Sequence, residues 1–319
     1  MSVVKELKDK VLRGYLIDKS EALRLDAEAE SGDFFDAANE IRAALCGRSM
    51  DLCSIINGKS GSCSENCKFC AQSKDCKNGA ETYPLLDGVE IAAAAKYNFD
   101  RGVHRFSIVT AGRTLNQRET AEVCRSYKNI GAACGIFICA SHGLLSFEQL
   151  KRLRGAGVKR YHCNLETSRR YFPNVCTTHT YDDKIKTIKN AQRAGLETCS
   201  GGIFGIGENA EDRIDMALEL RALNIKSVPI NILNPIPGTA FGDLPVTDKE
   251  TAVRIVALYR FLLPDAAIRV AGGRGLFDDL GEAFFKAGAN AAATGDMLTT
   301  KGVSIEKDRE TAKRLGFEV

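Results

Sequence analysis

From Asp51 onward the chain alternates between two rhythms. Short apolar runs rich in Val, Ile, Phe and Cys are followed by longer stretches with apolar residues three and four apart. The runs are LCSIIN (52–57), VHRFSIV (103–109), GIFICAS (135–141), VKRYHCNLE (158–166), ETCSGGIFG (197–205), SVPINIL (227–233), AAIRVAGG (266–273) and NAAATG (290–295). They read as strands, because a period near two suits a pleated chain. Stretches such as 89–102, 146–157, 182–195 and 211–224 read as amphipathic helices, several closed by a glycine or asparagine. Strand then helix, about eight times over, predicts a parallel sheet. At roughly 250 residues it fits an α/β fold of the (β/α)8 TIM-type barrel class. An open doubly wound sheet is the competing reading, since periodicity does not show closure. Residues 1–50 carry two or three helical patterns and no strand pattern. The expected organisation is a helical N-terminal extension (1–50) and a barrel with a C-terminal helix (51–319).

Composition narrows the function. The 319 residues are 44% hydrophobic and 27% charged, ordinary for a globular chain with a large core. The net charge is only +3, so there is no electrostatic reason to expect a nucleic-acid partner. No apolar run approaches a membrane span, and the first thirty residues lack an apolar signal core. A cytoplasmic location with reduced thiols is therefore expected. Against that background, 12 cysteines stand out. In a reducing compartment they point to metal or catalytic thiols before disulfides.

Cys63, Cys67 and Cys70 form a C-x3-C-x2-C run in the loop after the first predicted strand. In a barrel, that loop lies at the active-site face. Three thiolates on one short loop can hold three corners of a 4Fe–4S cube and leave the fourth iron open. Zinc, a disulfide and a cluster of buried thiols are the competing readings. Structural zinc normally takes four ligands, often from two separated pairs, which this loop lacks.

The triad in that position resembles the radical S-adenosylmethionine (SAM) enzymes. A wider set of stretches resembles the biotin synthase family from about residue 50 onward: KSGSCSENCKFCAQS, YHCNLETS, TTHTY, CSGGIFGIGE, SVPINIL, GTAF, IRVAGGR and LTT. The resemblance implies a SAM-binding 4Fe–4S cluster on Cys63, Cys67 and Cys70. It implies that Phe69 and the GGIFGIGE segment, with Ile203, face the adenine. Asn164 and Glu166 would hold the SAM ribose and line the substrate site. Ala111 and Gly112 would meet the methionine amino group, His179 would lie near its carboxylate, and Asn231 would contact dethiobiotin. Strand alternation puts His162, Asn164 and Glu166 on one face, which must then be the barrel interior.

Members of this family also carry an auxiliary iron–sulfur cluster that donates sulfur, held by three cysteines and one arginine. Cys139, Cys199 and Arg269, on the third, fifth and seventh predicted strands, match three of those four positions. The second strand offers Ser107 instead of a cysteine, and a hydroxyl is a poor substitute for a thiolate toward iron. Cys53 on the first strand is available as the replacement. This arrangement resembles a branch of the family, found in anaerobes, with a larger 4Fe–5S auxiliary cluster in place of 2Fe–2S. Cys46, Cys124, Cys134 and Cys163 read as packing residues, while Cys76 and Cys176 fall in loops near the active-site end without an assigned role. The implied reaction is radical removal of hydrogen from dethiobiotin, followed by sulfur insertion to give biotin. The implied partners are a flavodoxin- or ferredoxin-type reductant and a second copy in a homodimer. A related radical SAM barrel enzyme (amino-acid mutase or hydrogenase-cofactor maturase) and a non-enzymatic iron–sulfur carrier are the alternatives.

Overall fold

The computed structural model describes residues 2–77 and 80–319. Three helices, α1 (Val3–Leu12), α2 (Lys19–Glu28) and α3 (Ser31–Cys46), precede the sheet. The first half of the barrel is β1 (Asp51–Lys59), α4 (Gly88–Asp100), β2 (Arg105–Thr110), α5 (Gln117–Ala133), β3 (Phe137–Ser141), α6 (Phe147–Gly155), β4 (Arg160–His162) and α7 (Tyr181–Arg193). The second half is β5 (Glu197–Cys199), β6 (Gly202–Phe204), α8 (Ala210–Ala222), β7 (Ser227–Ile232), α9 (Lys249–Leu262), β8 (Ala267–Val270), α10 (Glu282–Lys286), β9 (Ala291–Ala293) and α11 (Ile305–Arg314).

Every strand pairing is parallel, and β1 lies between β2 and β9. The ring closes because β5 pairs with β7 at Cys199 and Ser227, while β6 pairs with β7 from Gly202 onward. Thus β5 and β6 are two parts of one stave, and the barrel has eight staves. Closure, which periodicity left open, settles the choice against an open sheet.

All eight predicted strands are present, with two departures. The fourth is shorter than its apolar run, because residues 163–166 leave the ladder and rejoin it only where Glu166 bridges Gly202. The fifth is broken at Ser200 and Gly201. A Cβ on Gly201 would lie 2.0 Å from the Pro229 carbonyl oxygen, and one on Gly202 would lie 2.5 Å from that of Glu166. The two glycines let three backbones converge where a side chain would force them apart.

Helix starts are set locally. Reciprocal capping boxes begin α2 (Asp18 and Glu21), α5 (Asn116 and Glu119), α6 (Ser146 and Gln149), α7 (Thr180 and Asp183) and α8 (Asn209 and Asp212). The main core fills the space between sheet and helices, and α3 joins it by packing Phe34 against Phe261 of α9, ring centroids 5.5 Å apart. Buried Arg274 clamps Asp308 of α11 at 2.6 and 2.7 Å, fastening the last helix to the barrel. A second apolar cluster at the barrel mouth gathers Val175, Ile203, Ile206, Leu233 and Phe241, with Phe69 against it. Among the described residues no helix is long and apolar enough to cross a membrane.

Candidate active site

Residues that alternate inward along the strands line one cavity of about 400 Å³ inside the barrel. Its residues fall into two levels. The floor carries Cys53, Ser107, Cys139, Arg160, His162, Cys199 and Arg269. Nearer the mouth are Phe69, Asn164, Glu166, Ile203 and Asn231, with 297–300 at the rim. The structure therefore brings together all four predicted auxiliary ligands and five of the predicted SAM and substrate residues. Strand register does this: Ser107 pairs with Cys139, His162 with Cys199, and Pro229 with Arg269, so the same parity faces inward around the ring.

Two arginines, Arg160 and Arg269, line the floor, each paired with a carboxylate. Arg269 donates to the Asp51 carboxylate (2.8 Å) and to the carbonyls of Asp51 and Ala292 (2.9 Å each). Arg105 donates to the same Asp51 carboxylate at 2.6 Å. Arg160 is held by Glu197 at 2.6 Å and lies against the Phe137 ring. Hydrogen bonding from Cys139 lowers the Cys53 pKa against the effect of burial, with Arg269 and Arg160 assisting, while Cys139 is pushed up in return. Burial would raise the Cys199 pKa, but His162, Arg160 and Arg269 outweigh it and lower it. All twelve cysteines are free. A soft sulfur donor set among fixed cations suits an anionic iron–sulfur cluster. Ser107 also faces this space, and its hydroxyl is buried without a partner.

The triad lies on the loop that follows β1. The Cys70 amide donates to the Cys67 carbonyl (3.1 Å), and the Glu65 amide points at the Cys63 sulfur (3.5 Å). Lys68 ties the loop to Val175 at 3.0 Å. Burial pushes the Cys70 thiol up to about 11, so a metal must displace its proton. The Cys67 thiol donates to Cys176 across 3.8 Å, which raises Cys67 and lowers Cys176. Cys176 is in turn 3.3 Å from Nδ1 of His179, and that nitrogen is 2.6 Å from Glu65.

Glu166 carries the clearest sign of a built site. Its backbone is left-handed, φ +73°, which a residue with a side chain adopts only at a cost. Two hydrogen bonds hold it there: its amide donates to Gly201 (3.1 Å), and its carbonyl accepts from Ile203 (2.8 Å). The carboxylate then points into the cavity, with Oε1 at 3.6 Å from Lys184 and Oε2 buried without a partner. An orphaned carboxylate oxygen beside a cavity is where a ligand's hydroxyls would be satisfied. Burial alone would lower the Lys184 pKa, but the carboxylate keeps it raised. Asn164 accepts from the Gly201 amide (3.0 Å), and Asn231 bridges the Gly202 carbonyl and the Gly272 amide (3.0 Å each). Both amides are thus fixed where the fifth stave breaks.

Ala111, Gly112 and His179 are placed outside this lining. Ala111 follows β2, its amide bonded to the Lys59 carbonyl (2.8 Å), and His179 is buried against Glu65 and Cys176. Sequence reasoning missed Arg160 and Lys184 as site residues. Lys184 lies on the apolar stripe of α7 with Ile188 and Ala191, four and seven residues on, and a lysine in such a stripe is a readable signal. Arg160 shares the inward parity of His162 and was legible by the same alternation.

Comparison with known proteins points to one family. The Radical SAM superfamily profile matches residues 59–220, and the Biotin and Thiamin Synthesis associated domain matches 229–318. A biotin synthase of Clostridium botulinum (strain Alaska E43 / Type E3) is 53% identical over 100% of both chains. One from Akkermansia muciniphila is 52% identical over 100% of this chain and 99% of its own. Among solved structures, methylornithine synthase superposes with a TM-score of 0.84 at 18% identity, covering 98% of this chain and 96% of its own. A maturase of the FeFe-hydrogenase superposes at 0.84 and 16% identity, covering 99% and 74%. These two likenesses are of fold.

Proposed function

The chain belongs to the biotin synthase family of radical SAM enzymes, and we propose that its two groups of cysteines divide the family's reaction between the mouth and the floor of one barrel. The activity is sulfur insertion that turns dethiobiotin into biotin. In the proposal, Cys63, Cys67 and Cys70 hold the SAM-binding 4Fe–4S cluster, and Cys53, Cys139 and Cys199 hold a 4Fe–5S auxiliary cluster, with Arg269 as its charge partner. When bound, the two clusters supply one-electron cleavage of SAM to a 5′-deoxyadenosyl radical and sulfide for the substrate carbon.

The chain's own residues orient and shield. Glu166 and Asn164 take the ribose hydroxyls, and Phe69 and Ile203 flank the adenine. Ala111 and Gly112 offer backbone to the methionine amino group. His179, held by Glu65 at 2.6 Å, lies toward the SAM carboxylate, with Lys184 beside Glu166 as a second polar group. Asn231 meets dethiobiotin between the levels. Depth in a closed barrel keeps water from a reactive carbon centre and holds the reactants at contact distance. A flavodoxin- or ferredoxin-type reductant, a homodimer and a cytoplasmic location complete the reading.

The observation that carries it is a floor of three cysteines inside a cavity whose mouth holds Phe69 of the triad loop and an unsatisfied carboxylate, Glu166. The test is anaerobic reconstitution of wild type and Cys53→Ala, with iron and sulfide counts, Mössbauer spectra and a biotin assay. Wild type should make biotin, and Cys53→Ala should lose the auxiliary iron but still cleave SAM. Normal SAM cleavage without biotin in wild type, or a full auxiliary signal in Cys53→Ala, overturns the reading.

A further inference from the structure

We propose that Cys176 donates a hydrogen bond to the Cys67 sulfur when the triad holds its cluster, and that this positioning residue makes the cluster easier to reduce. The inference rests on the reading of Cys63, Cys67 and Cys70 as the 4Fe–4S site, in which Cys176 has no part.

Two segments far apart in sequence are laced together on both sides of this sulfur pair. The Asn66 side-chain oxygen accepts from the amides of Thr177 (2.9 Å) and Thr178 (3.1 Å), and its Nδ2 donates to the Thr177 hydroxyl (2.7 Å). On the other flank the Lys68 amide donates to the Val175 carbonyl (3.0 Å). Between those ties the sulfurs of Cys67 and Cys176 are held 3.8 Å apart. Cys176 is only 3% exposed, so water does not compete for its proton.

Iron sets the direction of the bond. In the cluster-free chain the Cys67 thiol is the donor. A thiolate on iron has lost its proton, so of the two sulfurs only Cys176 can then donate. Its other neighbours do not take that proton. Nδ1 of His179, at 3.3 Å, carries a hydrogen of its own. It bonds at 2.6 Å to Glu65, a carboxylate paired with Arg113 and able only to accept. Asn66 Oδ1, at 3.3 Å, already accepts two amides, and the Thr178 hydroxyl, at 3.4 Å, is neutral. An ionised acceptor makes the stronger bond, which favours the Cys67 thiolate.

A hydrogen bond to a cluster sulfur favours the more negative, reduced state and raises the potential. Because S–H is a weak donor, the effect is a few-fold in the redox equilibrium.

The test uses the full chain with Cys53→Ala and Cys139→Ala as the parent, so that the floor keeps one thiolate and the triad holds the iron. It is reconstituted anaerobically and titrated potentiometrically without SAM, read by EPR. Cys176→Val and Cys176→Ala, apolar replacements of different size, should each lower the reduced-to-oxidised ratio at a fixed potential roughly threefold, or about 28 mV at 59 mV per decade. Water admitted by lost packing would solvate the more charged state and move the ratio the other way. Cys176→Ser keeps a donor and should lie nearer the parent. Pulsed EPR in deuterium oxide should show an exchangeable-proton coupling in the parent and Cys176→Ser that the apolar variants lack. A ratio within twofold of the parent or above it, or unchanged exchangeable couplings, in an apolar variant that keeps its iron overturns the proposal and leaves the triad cluster standing. Loss of the iron from both apolar variants shows a packing role and overturns it equally. A parent that binds no four-iron cluster overturns the triad reading, and this inference with it.

Discussion

Replacing Glu166 should separate binding from stability. The left-handed backbone at this residue costs about 1–2 kcal/mol for any side chain with a Cβ. What that cost secures is a carboxylate oxygen, buried and unpartnered, aimed at the cavity. Glu166→Gln keeps the shape and removes the charge. Hydrogen bonds to a charged group contribute about 1.5–3 kcal/mol, so losing the charge assistance should weaken SAM binding about 10- to 100-fold. Glu166→Gly also loses the carboxylate but relieves the backbone. It should be more stable than Glu166→Gln by about 1–2 kcal/mol, since both leave Lys184 equally unpaired. Equilibrium dialysis of SAM against the reconstituted variants gives the first number, and urea unfolding of the cluster-free chains gives the second. SAM affinity of Glu166→Gln within a factor of two of wild type would refute the ribose assignment. Equal stability of the two variants would refute the strain argument.

Adding Ser107→Cys to Cys53→Ala should restore a third thiolate to the floor, since Ser107 is buried, inward-facing and directly beside Cys139 in register; iron content that stays at the Cys53→Ala level counts against it. Asp308→Ala strands the Arg274 guanidinium in the core, and should cost about 3–5 kcal/mol, read as a fall of roughly 4–8 °C in Tm. His142 is buried between Thr110 (2.9 Å) and Tyr127 (2.7 Å), and burial lowers its pKa to about 3. Its folded pKa is therefore below the unfolded value of about 6.5, so its contribution is present above that pH and lost as pH falls toward 3. The cluster-free chain should lose about 2 kcal/mol more than His142→Gln between pH 7 and pH 5, by urea unfolding at each pH.

The barrel was legible because each strand's inward residues repeat every second position and five of the helices are opened by their own capping boxes. The family resemblance put Cys53, Cys139, Cys199 and Arg269 around one cavity, and the structure gathers them there. It also turned Cys163 into the apolar core, as its opposite parity implied. What sequence could not carry is set by contacts between distant segments. The strain at Glu166 exists because Gly201 and Ile203 grip its backbone from another stave. Cys176 meets Cys67 only because the 172–180 loop folds over the triad loop, a pairing across 109 residues. The bond between Arg269 and Asp51, at the far end of β1, is likewise a contact that no local pattern announces.

The ion pairs beneath the cavity also decide how traffic moves. Asp51, Arg105 and Arg269 lock together across three staves, and Arg160 with Glu197 joins two more. These pairs lie on the side of the cavity away from its mouth. If the floor group surrenders its sulfur to each product, fresh sulfur and iron must come in through the mouth, past the position assigned to SAM. Repair and turnover then exclude one another in time. The enzyme must empty its upper level before its lower one can be rebuilt, and whatever performs that service needs to recognise the unloaded rim.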